Sequence, residues 1–138
     1  MEWDTERNGR LFGGPAVRLS EGGEALVHAG WIHHGHGLLP GNAFIARRGF
    51  PDGTLQWAFT GDHSATALDT DGRTVYAALT SGEVLALDAV DGAVLWRSRA
   101  EVGGVPTVVL SLTVSGGGEL VLGTVDGRIL LCPVGGRG

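Results

Sequence analysis

Apolar and polar residues alternate along this chain in short runs, and the runs break at glycines. The clearest stretch is Ser81–Trp96, SGEVLALDAVDGAVLW, in which two alternating runs flank Asp91-Gly92. Asp and Gly both tolerate positive φ, so Asp-Gly between such runs is a strong hairpin signal. The stretch predicts antiparallel strands at Glu83–Asp88 and Ala93–Ser98, turning at Val90–Gly92. The same reasoning predicts strands at Ala16–Leu19, Glu24–Gly30, Asn42–Arg47, Thr54–Thr60, Ser64–Asp69 and Arg73–Leu79. Three more follow at Thr107–Val114, Glu119–Thr124 and Arg128–Val134. Gly13-Gly14-Pro15 closes a polar lead-in, Trp31–Gly41 and Glu101–Pro106 read as loops, and Gly135–Gly138 reads as a disordered tail. No long window carries apolar residues at helical spacing, so no helix is predicted.

The runs repeat. Asp52-Gly53 and Asp91-Gly92 are each followed, after three residues, by Trp57 and Trp96. Gly82-Glu83-Val84-Leu85 and Gly127-Arg128-Ile129-Leu130 open equivalent strands, and Ser20–Glu24 and Ser115–Glu119 mark equivalent turns. Trp57 and Trp96 lie 39 residues apart and Gly82 and Gly127 lie 45 apart, close to the period of about 40–45 residues of a four-stranded propeller blade. Counting from each Trp-bearing outer strand gives approximate units of 1–53, 54–92 and 93–134, with a tail at 135–138.

At these residues the chain resembles two repeat families. Ala86-Leu87-Asp88-Ala89-Val90-Asp91-Gly92-Ala93-Val94-Leu95-Trp96 resembles the tryptophan-docking motif of PQQ-like (quinoprotein-type) propellers, keeping Ala86, Asp88, Gly92 and Trp96, with Asp91 where Thr is usual. An earlier, poorer copy keeps Ala46, Gly53 and Trp57. The C-terminal stretch, with Asp126-Gly127 at a strand turn, is similar to a WD40 repeat, although Leu131-Cys132-Pro133 stands where that family has Leu-Trp-Asp. The resemblance implies an all-β fold of antiparallel four-stranded blades, an incomplete ring of about three. Propellers close with about four to eight blades. Three units leave blade faces and strand edges uncovered. Either the chain is a fragment or the C-terminal part of a larger propeller, or two or more copies self-associate to complete the ring; in either case Met1–Thr5, with Trp3, is expected to supply the outer strand of a blade whose inner strands lie elsewhere.

Composition narrows the function. The net charge of −5 argues against nucleic acid and against an anionic membrane surface as partners. All ten basic residues are Arg, which with the 25 Gly suggests a GC-rich bacterial genome. Cys132 is alone, so it forms no internal disulfide and reads as a small buried hydrophobe. The N-terminus lacks a secretory layout, and the expected location is the cytoplasm.

Few residues suggest chemistry. His28, His33, His34 and His36 fall within nine residues, and His33, His34 and His36 are the metal-ligand candidates, since gathered neutral imidazoles bind Zn, Cu or Ni. No carboxylate or thiolate lies near them, and adjacent His33 and His34 point opposite ways on an extended chain. Asp69-Thr70-Asp71-Gly72 lacks the further acidic ligands of a calcium loop and reads as a hairpin turn. There is no nucleophile motif and no phosphate loop. Trp57, Ala86, Asp88, Gly92, Trp96, Asp126 and Gly127 read as structural repeat positions. The expected function is therefore a non-catalytic module without a cofactor, a scaffold or sensor holding a protein partner. The alternatives are a remnant or subunit of a quinoprotein-type dehydrogenase, and metal binding at His28–His36.

Overall fold

The computed structural model describes residues 10–20, 23–33 and 43–134. The nine residues that hold Trp3, the run around His34 and His36, and the tail at 135–138 lie outside the described residues. Every regular element among the described residues is a β-strand.

Strands β1 (Arg10–Leu19), β2 (Ala25–His33), β3 (Ala43–Gly49) and β4 (Leu55–Gly61) pair in that order as sheet I. Strands β5 (Ala65–Thr70), β6 (Thr74–Leu79), β7 (Glu83–Asp88) and β8 (Val94–Arg99) pair in that order as sheet II. A small hairpin, β9 (Glu101–Val102) and β10 (Val105–Pro106), leads into sheet III, built from β11 (Val109–Val114), β12 (Glu119–Thr124) and β13 (Ile129–Pro133). All pairs are antiparallel neighbours in sequence, as tight Gly-bearing turns dictate. The Trp-bearing strands β4 and β8 are the last strands of their sheets, so the sheets cut the chain at different places from a count that starts at each Trp.

The three sheets pack face to face. One core joins sheet I to sheet II, with Leu19, Val27, Ile45 and Trp57 meeting Val75, Leu79, Leu85 and Leu87. A second core lies on the other face of sheet II, where Tyr76, Val84 and Ala86 meet Val109, Leu112, Leu120 and Leu122. Sheet II is thus covered on both faces, and its middle strands β6 and β7 are buried almost throughout rather than alternately. The first strands lie side by side, β5 between β1 and β11. Bonds across the β5–β11 seam fix this: the Thr66 hydroxyl donates to the Val109 carbonyl, and Asp69 Oδ2 accepts the Val114 N–H at 2.8 Å.

Three expectations needed correction. Gly13-Gly14-Pro15 does not end a lead-in; β1 runs through it with a bulge between Gly13 and Ala16. A proline is tolerated there because β1 is an edge strand and the bulge removes the demand for its missing N–H. A Cβ on Gly14 would come within 2.9 Å of the Ala29 carbonyl oxygen, so the bulge brings two backbones close. Trp31–His33 belongs to β2 rather than to a loop, paired with Arg10–Phe12. Glu101–Pro106 is a hairpin, since Gly103 and Gly104 both take positive φ (59° and 81°), as a tight turn requires.

Candidate functional site

A dense set of bonds lies where sheet I meets the β7–β8 turn. Trp57 and Arg47 face each other across β4 and β3 and share one side of sheet I. The Trp57 indole Nε1–H donates to the Ala89 carbonyl at 2.9 Å, and Arg47 Nη1 donates to the same oxygen at 2.6 Å. A carbonyl oxygen has two lone pairs, and both are used. The turn that presents this oxygen is rigid. Asp88 N–H bonds the Ala93 carbonyl, Gly92 N–H bonds the Asp88 carbonyl, and Ala89 N–H bonds the Arg73 carbonyl, each at 2.8–2.9 Å. Asp88 Oδ1 accepts the Val90 N–H and Asp91 Oδ1 accepts the Ala93 N–H. Gly92 takes φ +76° and lies directly against the Trp57 ring.

The β3–β4 turn of sheet I repeats the backbone bonds and the second Asp bond of this turn, while Gly49 and Pro51, which lack the side chain and the N–H, stand where Asp88 bonds Val90. Gly49 N–H bonds the Thr54 carbonyl, Gly53 N–H bonds the Gly49 carbonyl, and Phe50 N–H bonds the Glu24 carbonyl. Asp52 Oδ1 accepts the Thr54 N–H, and Gly53 has φ +74°. Phe50 and Gly53 therefore stand where Ala89 and Gly92 stand in sheet II. Phe50 is exposed.

The other singled-out residues fall as follows. Ala86 is buried opposite Trp96 in the β7–β8 register. Trp96 is half-buried, tilted against Tyr76 at a ring separation of 6.2 Å. Asp126 accepts from the Thr124 hydroxyl and from Arg128 Nε, which hold its carboxyl below the usual range, the Thr124 bond foremost. Gly127 makes its turn at φ +84°. The backbone of His33 ends β2, but its side chain, like His34 and His36, lies outside the described residues. Among the described residues no group of three His, Cys, Asp or Glu side chains is placed to hold a metal ion. His28 stands on the outer face of sheet I. Its Nε2 accepts from Arg48 Nε at 3.2 Å, and its ring meets Phe44 edge-on at 5.3 Å. Burial, and after it the Arg48 charge, lower its pKa and keep the imidazole neutral.

Two concavities flank these elements. One, of about 350 Å³, runs between β8 and β13 and is lined by Trp96, Leu122, Leu130, Cys132 and Pro133 among others. Burial raises the Cys132 pKa, which keeps its sulfur a thiol rather than a nucleophilic thiolate. The other, of about 630 Å³, lies beside the β7–β8 turn between Arg47, Gln56, Arg73 and Asp88, where charges of both signs meet.

At the opposite end of the sheets the β8–β11 connection forms a platform. Ala100 N–H bonds the Gly82 carbonyl, Thr107 N–H bonds the Ala100 carbonyl, and Val125 N–H bonds the Val108 carbonyl. Val105 on the hairpin and Val125 on the β12–β13 turn are 64% and 60% exposed.

The arrangement of these sheets is similar to that in solved structures. The crystal structure of BamB from Moraxella catarrhalis is similar over 91% of this chain and 36% of that one, at TM-score 0.55 and 18% identity. The C-terminal WD40 domain of Sif2 is similar over 88% of this chain and 33% of that one, at TM-score 0.64 and 11% identity. A chain of the COPII outer coat on membranes is similar over 88% of this chain and 34% of that one, at TM-score 0.67 and 12% identity. The fold is that of β-propeller blades. This segment carries two full four-stranded blades and three strands of a third among the described residues. It spans about a third of the length of these three structures. No protein-family model matches the chain, and no curated protein matches it.

Sequence reasoning missed Arg47 and the Val105–Val125 platform. For Arg47 a signal existed, its place opposite Trp57. For the platform none did, because the hairpin depends on tertiary bonds to Gly82 and Ala100.

Proposed function

We propose that this chain is a non-catalytic propeller module that holds a protein partner on the end carrying the β9–β10 hairpin. The observation that carries the reading is the pairing of rigidity with exposed apolar surface there. Backbone bonds from Ala100, Thr107 and Val125 fix the platform, and it presents Val105 and Val125 to solvent. Binding residues gather on loops positioned by a stiff scaffold, and a preorganised apolar surface loses little entropy on docking. The aromatic and cationic side chains that a catalytic or ligand site would draw on, Trp57 and Arg47, are instead committed to holding two blades together.

The test compares the chain with its Val105→Glu/Val125→Glu variant as immobilised bait in lysate from the source cells. Both positions are exposed, so the variant should keep the thermal transition of the parent. Loss of a specific captured protein supports the reading. Equal capture by both baits would sink it, as would an activity or a bound chromophore that follows the purified chain.

A further inference from the structure

In a repeat fold, whatever stacking requires returns at each junction between neighbours. The junction of sheets I and II departs from that of sheets II and III at three positions. Arg47 pairs with Trp57 across β3 and β4, whereas Ala86 pairs with Trp96 across β7 and β8. Gln56 stands in the irregularity beside Trp57, and Leu95 stands in the one beside Trp96. The Arg73 carbonyl accepts the Ala89 N–H in sheet II, and the Gly118 carbonyl accepts the Val134 N–H in sheet III. Sheets II and III pack with none of the three polar side chains, so blade stacking does not call for them.

Strand alternation gathers the three at one place. Arg47 is in phase with Ile45 on β3, and Arg73 is in phase with Val75 and Ala77 on β6. Ile45, Val75 and Ala77 all lie in the core between sheets I and II. With Gln56, the two arginines line the concavity of about 630 Å³ beside the β7–β8 turn. Asp88, on its rim, is in phase with Ala86, which packs toward sheet III, and its Oδ1 is taken by the Val90 N–H. The concavity therefore carries an excess of positive charge in a chain of net charge −5.

Its walls are fixed in advance. Asp71 Oδ1 accepts the Arg73 N–H at 2.9 Å and the Thr74 N–H at 2.8 Å. A Cβ on Gly49 would come within 2.7 Å of Gln56 Nε2, so the glycine makes the room in which that amide lies. Arg47 is buried on the Ala89 carbonyl and lends its charge from below. Arg73 and Gln56 are exposed, and among the described residues their side chains make no hydrogen bond.

We propose that this concavity binds a small organic anion. Its oxyanion head, a carboxylate or a phosphate, takes the Arg73 guanidinium and the Gln56 amide as donors over the charge of Arg47. A guanidinium meets either head with two parallel N–H bonds. Clefts of about 300–1,000 Å³ hold small organic molecules, so the space leaves room for a body beyond the head. The exposed Val90 side chain supplies an apolar wall for that body. Arg47 keeps its bond to the turn throughout, so the ligand adds to the blade junction without taking it apart. The site lies at the end of the sheets away from the β9–β10 hairpin and is separate from the partner surface proposed there.

The experiment titrates the chain with succinate, with inorganic phosphate and with choline, by calorimetry and by amide resonances. The expected result is a dissociation constant of about 1 mM or below for at least one anion. Choline should not bind, and the shifted amides should gather at Gln56, Arg73 and Val90. Tighter succinate assigns a carboxylate head, and tighter phosphate a phosphate head. Arg73→Gln should weaken binding about tenfold and Gln56→Leu about threefold, as lost bonds to a charged group would. Both act on exposed side chains, so the thermal transition should stay that of the parent. Absence of binding for both anions at about 10 mM overturns the proposal. Binding that neither variant weakens also overturns it, as do shifts centred on Arg18 or Arg128. None of these outcomes depends on partner capture at the hairpin end.

Discussion

The Trp57 ring lies over Gly92 so closely that a Cβ on Gly92 would come within 2.6 Å of the indole Cε3. The same residue holds φ +76°, a conformation that L side chains rarely adopt. Gly92→Ala therefore meets both strain and a clash, and should cost more than about 1 kcal/mol. Trp57→Ala should cost about 3–5 kcal/mol, the range for removing a large buried ring. Because both changes break one contact, the double variant should cost less than the sum. Urea unfolding of the two single variants and the double variant checks this, and additive losses would show that the ring and the turn act independently.

Arg47 and Trp57 both donate to the buried Ala89 carbonyl. Arg47→Met keeps the volume and leaves the indole bond, and Trp57→Phe leaves the guanidinium bond. The pair together strips the oxygen of both donors, and a buried acceptor left bare costs about 1–3 kcal/mol. The double-mutant cycle should show a coupling of that size beyond the sum of the single losses. A coupling near zero would mean that another donor moves in.

His28 gives the protein a pH dependence of stated sign. Its folded pKa lies below its ordinary value because of burial first and the Arg48 charge second. The folded state binds fewer protons there than the unfolded chain. Its contribution to stability is complete above about pH 6.5, the unfolded value, and declines as pH falls below it. The imidazole resonances of His28 should titrate with a midpoint below 6.5. The fall in stability between pH 7 and 5.5 should be shallower in His28→Gln. A midpoint above 6.5 would contradict the neutral, Arg48-facing ring.

The hairpin β7–β8 was legible because alternation, Asp-Gly and Trp all point the same way, and β7 spans Glu83–Asp88 as the pattern predicts. The propeller stacking was legible through its repeat, since each blade buries its faces only against neighbours and the sequence must repeat to do so. What escaped depends on register. Arg47 and Arg48 are adjacent, so one must face inward; the irregularity that pairs Arg47 with Trp57 and Arg48 with Leu55 decides which. The part of β1 before Ala16 was hidden because a bulge at Gly13–Ala16 lets a Gly-Gly-Pro sequence stay in a sheet, whereas Ala16–Leu19 was legible. The β9–β10 hairpin was hidden because two-residue strands carry no alternation to read.

Among the described residues, sheet II alone has both faces covered, and its strands β6 and β7 have neighbours on either side. Opening β13 exposes one surface of one sheet, whereas opening β7 must undo both cores at once. Amide protons should therefore exchange in a spatial order, fastest along β13 and slowest at Val75–Ala78 and Val84–Leu87. In a stack held by nearest-neighbour terms, the middle layer acts as a clock for the whole. Its slowest amides report the free energy of global unfolding, and any association that covers sheet III should slow β13 first.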